Sequence, residues 1–367
     1  LKPKNFKVNF NEAKIENTLG YNQAEVTREF DYISYLEKEH IFYELKPENI
    51  NFLENNKGNF IKQKLYKIKH LFLSKIKKNI PAPESFLLGG VMLGAKEDMG
   101  KKLLEDFRKT GVIHIVVLSG YNLSLVADFF IKIFAFLGIT ISSIAGSLTI
   151  ILFALMVGPS ATIVRASVMA LIIIFAKIIG RNSDIIKILF LTAFFMVIFN
   201  PMILVHDASF QLSFLATLGL LTLGSKIESY LKIIPKAFEL RGILSATIAT
   251  QIFVAPLIIY MMGEISIISP IVNILILILI PFTMLLGLIL VLSSFLSQTI
   301  TILISFLLFL ILSYDLNIVK IFANLPISIL KINLNFLEMI LIYIIFLTTY
   351  IFYKNDIISL IIKINKK

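Results

Sequence analysis

From residue 113 to 353 the sequence is a succession of apolar runs divided by short polar, glycine- or proline-bearing joints. Runs near 113–137, 143–157, 161–180, 185–204, 208–224, 242–262, 266–297, 299–320 and 335–353 each read as a membrane-crossing helix. In hydrocarbon every backbone N–H and C=O needs a partner within the protein, which leaves helices as the form for such runs. Composition agrees, because 57% of all residues are apolar, more than the roughly half found in soluble domains. The expected fold class is therefore mainly α, a polytopic transmembrane helical bundle. The run 266–297 is too long for one comfortable span at about 1.5 Å per residue. Pro281 divides it, into two spans or two half-helices.

Residues 1–56 hold no run that could cross a bilayer. Alternating pieces at 6–10 and 41–45 read as strands, with a short helix over 29–38 between them, so a small β-rich domain is expected here. The chain starts at Leu1, and this stretch reads as such a domain or as the remaining C-terminal part of one. Residues 57–112 form a second unit. Within it Lys62, Lys64, Lys67, Lys69, Lys75, Lys77 and Lys78 interleave with apolar residues at helical spacing, and 57–80 contains no acid. Such an amphipathic helix serves anionic headgroups, nucleic-acid phosphates, or both. Pro81 and Pro83 end it. Gly90 and Gly94 then have the spacing that lets helices approach closely. The apolar stretch 86–95 is too short to span, so it is expected to be re-entrant or docked on the bundle. The transmembrane domain follows over 113–353, and 354–367 is a basic tail.

Charge sets an expected topology. The loops 177–187 and 226–241 carry the basic residues between spans, which places them in the cytoplasm. Counting back three spans puts the N-terminal part, with its lysines, outside. The chain has no cysteine, which excludes disulfides and thiolate sites. Its histidines, His40, His70, His114 and His206, have no metal-ligand spacing, and there is no nucleotide loop or hydrolase elbow. Neither a metal nor a cofactor is expected.

Four polar clusters interrupt the apolar runs. The first holds His114, Ser119 and Asn122, which with Tyr121 and Asp128 fall within about half the circumference of an ideal helix, although Gly120 weakens that projection. They either hold spans together or line a hydrophilic conduit. The second is Gly158-Pro159-Ser160 with Arg165, a helix break followed by a snorkelling anchor or an anion contact. The third runs from Asn200-Pro201 through His206 and Asp207 to Gln211 and Ser213. Its His-Asp pair suggests acid–base chemistry, against a helix start capped by Asp207 or Ser209. The fourth joins Gln251 and Pro256 to Ser269-Pro270 and Asn273, the pattern of broken helices around a cavity.

In this order the clusters resemble the competence domain of the ComEC/Rec2 family. The run His114-Ile115-Val116-Val117-Leu118-Ser119-Gly120-Tyr121-Asn122 is similar to the family's "HLLAISGLH". Gly158-Pro159-Ser160 with Arg165, Phe210-Gln211-Leu212-Ser213-Phe214, and Ser269-Pro270-Ile271-Val272-Asn273 with Pro281 resemble its later motifs. Phe30-Asp31-Tyr32 with Tyr35-Leu36 resembles the end of its OB-like N-terminal domain, so the β-rich unit is expected to be OB-like and extracytoplasmic. The family's second histidine is Asn122 here, which argues against a role for an imidazole at that position. The sequence also lacks the His-x-His-x-Asp-His motif of the metallo-β-lactamase-like domain that many members carry, so no enzymatic activity is expected.

The resemblance implies an inner (cytoplasmic) membrane, multi-pass channel that passes single-stranded DNA into the cytoplasm during natural transformation. The external lysines would gather phosphates, and His114, Ser119, Asn122, Ser160, Arg165, Gln211, Ser213 and Asn273 would lie on the path. Membrane lipids, a DNA receptor and a cytosolic motor would be its other partners. Two other readings stand beside it: a transporter of a small solute or lipid, and a membrane hydrolase using His206 and Asp207.

Overall fold

The computed structural model describes residues 13–17, 43–47, 59–158, 160–181, 184–235 and 239–349. The described structure is mainly helical. Six apolar stretches are long enough to cross a membrane: Ile139–Val157, Ala161–Ile178, Ala208–Tyr230, Leu240–Met262, Ser269–Ser293 and Gln298–Ala323. Exposed side chains along them, such as Leu303 and Phe306 on Gln298–Ala323, are large and apolar, as are Phe190 and Phe194 on the shorter helix Ile185–Phe199. An apolar outer surface fits helices whose surroundings are lipid. The chain is a multi-pass membrane protein.

The N-terminal region shows one antiparallel pair, β1 (Ala13–Asn17) with β2 (Tyr43–Pro47), in register Ile15 with Leu45. The second expected strand is thus displaced by two residues, while the first and the helix over 29–38 lie outside the described residues. Two strands do not establish an OB-like domain. The basic tail 354–367 also lies outside the described residues.

Helix α1 (Phe60–Asn79) is the amphipathic basic helix, started by Asn59, whose side chain accepts from the amides of Ile61 and Lys62. Helix α2 (Glu84–Leu93) follows, with Leu87 through Leu93 buried. It is docked inside the bundle. Gly94 closes it in the left-handed conformation (φ 66°), and the amides of Gly94 and Ala95 return to the carbonyls of Gly90 and Gly89. A 3-10 turn then leads to α3 (Gly100–Lys109).

The expected span 113–137 is not one helix. Residues Ile113–Val116 form a single turn, α4; the backbone is extended at Val117 and Ser119; α5 then runs over Gly120–Ile133. The break is held from the side by α2. A Cβ on Gly90 would lie 2.8 Å from Val116, and one on Gly94 would lie 2.7 Å from Leu118. The absent glycine side chains therefore let the interrupted segment sit directly against α2. The interruption also removes the projection that put His114, Ser119, Tyr121, Asn122 and Asp128 on one face. Within α5 itself Asn122 is buried while Tyr121 and Asp128 are exposed.

Beyond it come α6 (Ile139–Val157), α7 (Ala161–Ile178), α8 (Ile185–Phe199), the single turn α9 (Ile203–His206), α10 (Ala208–Tyr230) and α11 (Leu240–Met262). The expected span 185–204 therefore ends at Phe199, and 208–224 extends to Tyr230. Helices α10 and α11 pack closely, since a Cβ on Gly219 would lie 2.7 Å from the Ala249 carbonyl oxygen. The long run after them is α12 (Ser269–Leu277) and α13 (Ile280–Ser293), with Pro281 in the first turn of the latter. Together they form one apolar stretch that can cross a membrane. Helices α14 (Gln298–Ala323) and α15 (Phe336–Thr349) complete the chain's described part. A strand pair the sequence did not suggest, β3 (Glu264–Ser266) with β4 (Ile329–Lys331), ties the start of α12 to the segment after α14.

The main core joins α2, α3, α4, α12, α13 and α14 through Leu88, Phe107, Ile115, Val272, Leu290 and Leu312. Gly111 is the hinge of that core: its φ is 73°, and a Cβ there would lie 2.5 Å from that of Ser269. Gly180 also has a positive φ (68°), as the turn that closes α7, but open space around it. Gly111→Ala should thus lower stability by about 2 kcal/mol or more, combining backbone strain with overpacking, against about 1 kcal/mol for Gly180→Ala. Thermal unfolding in detergent measures both. Equal midpoints for the two variants would show that the Ser269 contact yields.

Candidate functional site

The break at 117–119 is built on a carbonyl that its own helix cannot satisfy. The last turn of any helix leaves carbonyls without partners. In α2 those of Gly89 and Gly90 are taken by the Gly94 turn, and that of Val91 accepts the side-chain amide of Asn122 at 2.9 Å. Asn122 is buried, and its Oδ1 accepts the Ser119 hydroxyl at 3.2 Å. One asparagine thus fixes the start of α5 against the end of α2. His114 sits on α4 with an exposed side chain, away from this pair.

Three of the four polar clusters meet next to this joint. The space above Gly120 is closed by α7: a Cβ there would lie 3.1 Å from that of Ala166 and 3.5 Å from an Arg165 nitrogen. Arg165 then reaches α10. Its Nη1 donates to the Thr217 hydroxyl, which in turn donates to the Ser213 carbonyl at 2.9 Å. Its guanidinium also lies over the Phe214 ring, 5.9 Å from the centroid. The buried Nε has no hydrogen-bond partner, and no carboxylate pairs with Arg165 among the described residues. An unbalanced cation in an apolar bundle is costly, and it favours the approach of an anion. Ser160 contributes locally, as the N-cap of α7, accepting from the Ile163 amide at 3.4 Å.

The third cluster divides its labour. Asp207 caps α10, accepting the Phe210 amide at 3.2 Å. Gln211 donates to the carbonyls of Leu204 and Val205, at 3.0 and 2.8 Å, and so closes the end of α9. The Ser213 hydroxyl is buried without a partner. The fourth cluster lies apart from Arg165 and belongs to the Gly111 hinge. There Gln251 donates to the Ser266 carbonyl at 2.7 Å, and the buried Asn273 donates to the Ser269 hydroxyl at 3.1 Å, its own Oδ1 unpartnered. Of the eight path candidates, Asn122, Ser160 and Gln211 serve backbone groups, whereas Arg165 keeps a buried Nε without a hydrogen-bond partner.

The α1 lysines also separate into two sets. The Lys69 ammonium reaches the Val157 carbonyl at the end of α6, and the Lys75 ammonium reaches the Ser294 carbonyl after α13 and the Phe295 ring. Cations are favourable at helix C-termini. Burial lowers the pKa of Lys69, an effect partly opposed by Glu97. Lys77 pairs with Asp98 at 2.8 Å, and Lys64 lies over the Phe60 ring. Lys62, Lys67 and Lys78 are exposed and have no such partner among the described residues. These three are the lysines open to an anionic partner.

One polar residue escaped the sequence reading. Asp315 lies on α14 at 1% exposure, and both carboxylate oxygens are without partners. Its signal was an acid within the apolar run 299–320, preceded by the wholly apolar and serine-bearing stretch 302–313.

A helical multi-pass membrane protein with broken helices and an internal unbalanced arginine is the class this geometry defines. The chain belongs to the ComEC/Rec2 family: the profile described as "Competence protein" matches residues 91–356. It is similar to ComE operon protein 3 of Bacillus subtilis (strain 168), with 24% identity over 263 residues, 71% of this chain and 32% of the relative. The chain thus spans about a third of that relative's length. No solved structure matches.

Replacing Asn122 by leucine removes the donor to Val91 and the acceptor for Ser119 while keeping the volume. A buried group left unpaired costs about 1–3 kcal/mol, so Asn122→Leu should lower the unfolding midpoint by a corresponding amount. A variant as stable as the wild type would show that water takes over the Val91 carbonyl.

Proposed function

We propose that this chain is an inner-membrane channel that passes single-stranded DNA into the cytoplasm during natural transformation. Family membership supports the competence role. The observation that carries the finer reading is Arg165, a guanidinium inside the bundle with no acid to balance it, at the joint where α5, α7 and α10 meet. A phosphodiester backbone supplies one negative charge per nucleotide, and a guanidinium is the side chain best matched to it. Recognition through phosphate needs no particular base sequence, as uptake of arbitrary DNA requires.

Lys62, Lys67 and Lys78 would gather the strand before it enters, and the exposed Tyr121 beside Gly120 offers a ring on which a base can stack. In this reading the chain performs no chemistry of its own. A receptor, a motor that pulls from the cytosol and any nuclease for the second strand are supplied by other proteins, and membrane lipids surround the bundle.

Uptake of fluorescent DNA in the source cell tests the channel. Arg165→Gln should reduce internalisation tenfold or more while DNA still accumulates at the cell surface, and Arg165→Lys should retain part of it. Undiminished uptake by a folded Arg165→Gln protein would sink the assignment. The lysines are read by salt dependence. Replacing Lys62, Lys67 and Lys78 together by glutamine should reduce the slope of log affinity against log salt for single-stranded DNA by about 2, at roughly 0.7 per phosphate contact.

A further inference from the structure

We propose that Asp315 is a proton-binding site: its carboxyl holds a proton while the bundle is closed and releases it to water when α14 separates from its neighbours. The evidence is its setting. Asp315 is 1% exposed, and neither of its oxygens has a hydrogen-bond partner. Along the same helix Leu312, Leu316 and Val319 are buried in the main core, which also contains Phe107, Ile268 and Val272. An ionised carboxylate there would lose its hydration and receive nothing in exchange, whereas the neutral acid loses far less.

The elements packed against α14 supply no counter-charge. Helices α12 and α13 contain no titratable residue. From α2 comes another acid, Glu84, which accepts the Ser313 hydroxyl at 2.9 Å. From α3 come Arg108 and Lys109, already paired with Glu264 and Glu105 at 2.8 and 3.0 Å, the exposed Lys101 and Lys102, and the partly buried Asp106. On α1 Lys75 is held at the Ser294 carbonyl and Lys77 at Asp98. On α14 itself, Tyr314 is exposed and Lys320 stands more than a turn away. A proton is the ligand this leaves, because it neutralises the group without requiring further oxygen ligands around it.

Opening the core would rehydrate the carboxyl. The O–H bond then breaks, the proton passes to water, and the carboxylate stays hydrated until closure takes up a proton again. An acid that alternates in this way ties movement of α14 to proton traffic. The link to DNA rests on the channel reading; the protonation does not.

Infrared difference spectroscopy of the full chain in lipid, with carbon-13 aspartate, tests the protonation. Wild type at neutral pH should show the C=O band of a protonated acid, shifted by the label, absent from Asp315→Asn and indifferent to sodium. Absence of the band, or its loss when sodium is added, overturns the proposal, the latter in favour of a metal cation. Uptake by Asp315→Asn tests the release. The variant is isosteric and permanently neutral, so its unfolding midpoint should match wild type while internalisation falls tenfold or more. Full uptake by Asp315→Asn, alongside a clear wild-type band, would overturn the release step and leave the channel reading untouched.

Discussion

The bond from Asn122 to the Val91 carbonyl is the constraint on which the interior depends. In an apolar surrounding the end of α2 cannot turn to water for its last carbonyls, so side chains must supply the donors. Gly94 disposes of two of these carbonyls through its left-handed turn, and Asn122 disposes of the third. Because Asn122 can do this only from the first turn of α5, the position of that helix is set by the end of α2. Gly120 then fixes α7 against the same turn, and Arg165 carries the connection to Thr217 on α10. Four elements are thus registered by one chain of polar contacts and close glycine packing.

That chain of contacts explains what could and could not be read in the sequence. The apolar runs and the amphipathic helix α1 were legible because hydropathy and helical spacing are properties of neighbouring residues. The cap at Asp207 was legible for the same reason, being a bond that spans three residues. The break in 113–137 was not, because between Ile113 and Leu118 only His114 departs from apolar residues, and no proline or glycine ends a helix before Gly120. Its cause lies in α2, where Gly90 and Gly94 leave room for Val116 and Leu118. The glycine spacing was visible; the partner it was made for was not. Likewise Arg165 stood out as a cation in an apolar run, but Thr217 is 52 residues away. Gln211, a plausible lining residue by composition, is consumed by two carbonyls of the preceding turn.

Charge is distributed in this protein in a way that ordinary stability does not explain. The chain carries a formal net charge of +11, yet among the described residues no cation pairs with the buried Asp315 and no anion with Arg165. Either group could be replaced by an apolar side chain with a gain in packing and no loss of a salt bridge. The two lie on α7 and α14 and form no ion pair with each other. Their retention in hydrocarbon is intelligible if each meets its complement only in part of a working cycle: phosphate at Arg165, and a proton at Asp315.

The placement of these two groups separates stability from movement. Arg165 is held by Thr217 and Phe214 at a joint whose Val91, Leu204 and Val205 carbonyls are satisfied by side chains, which makes it a fixed contact. Asp315 sits in the main core on a helix tied at one end by the β3–β4 pair, while Ser313, on another side of α14, donates to Glu84 of α2. The contact of α14 with α2 thus includes a polar bond beside an otherwise apolar core. Since α2 also supplies the Val91 carbonyl that positions α5, the helix on which α14 packs is the one that sets the Arg165 joint.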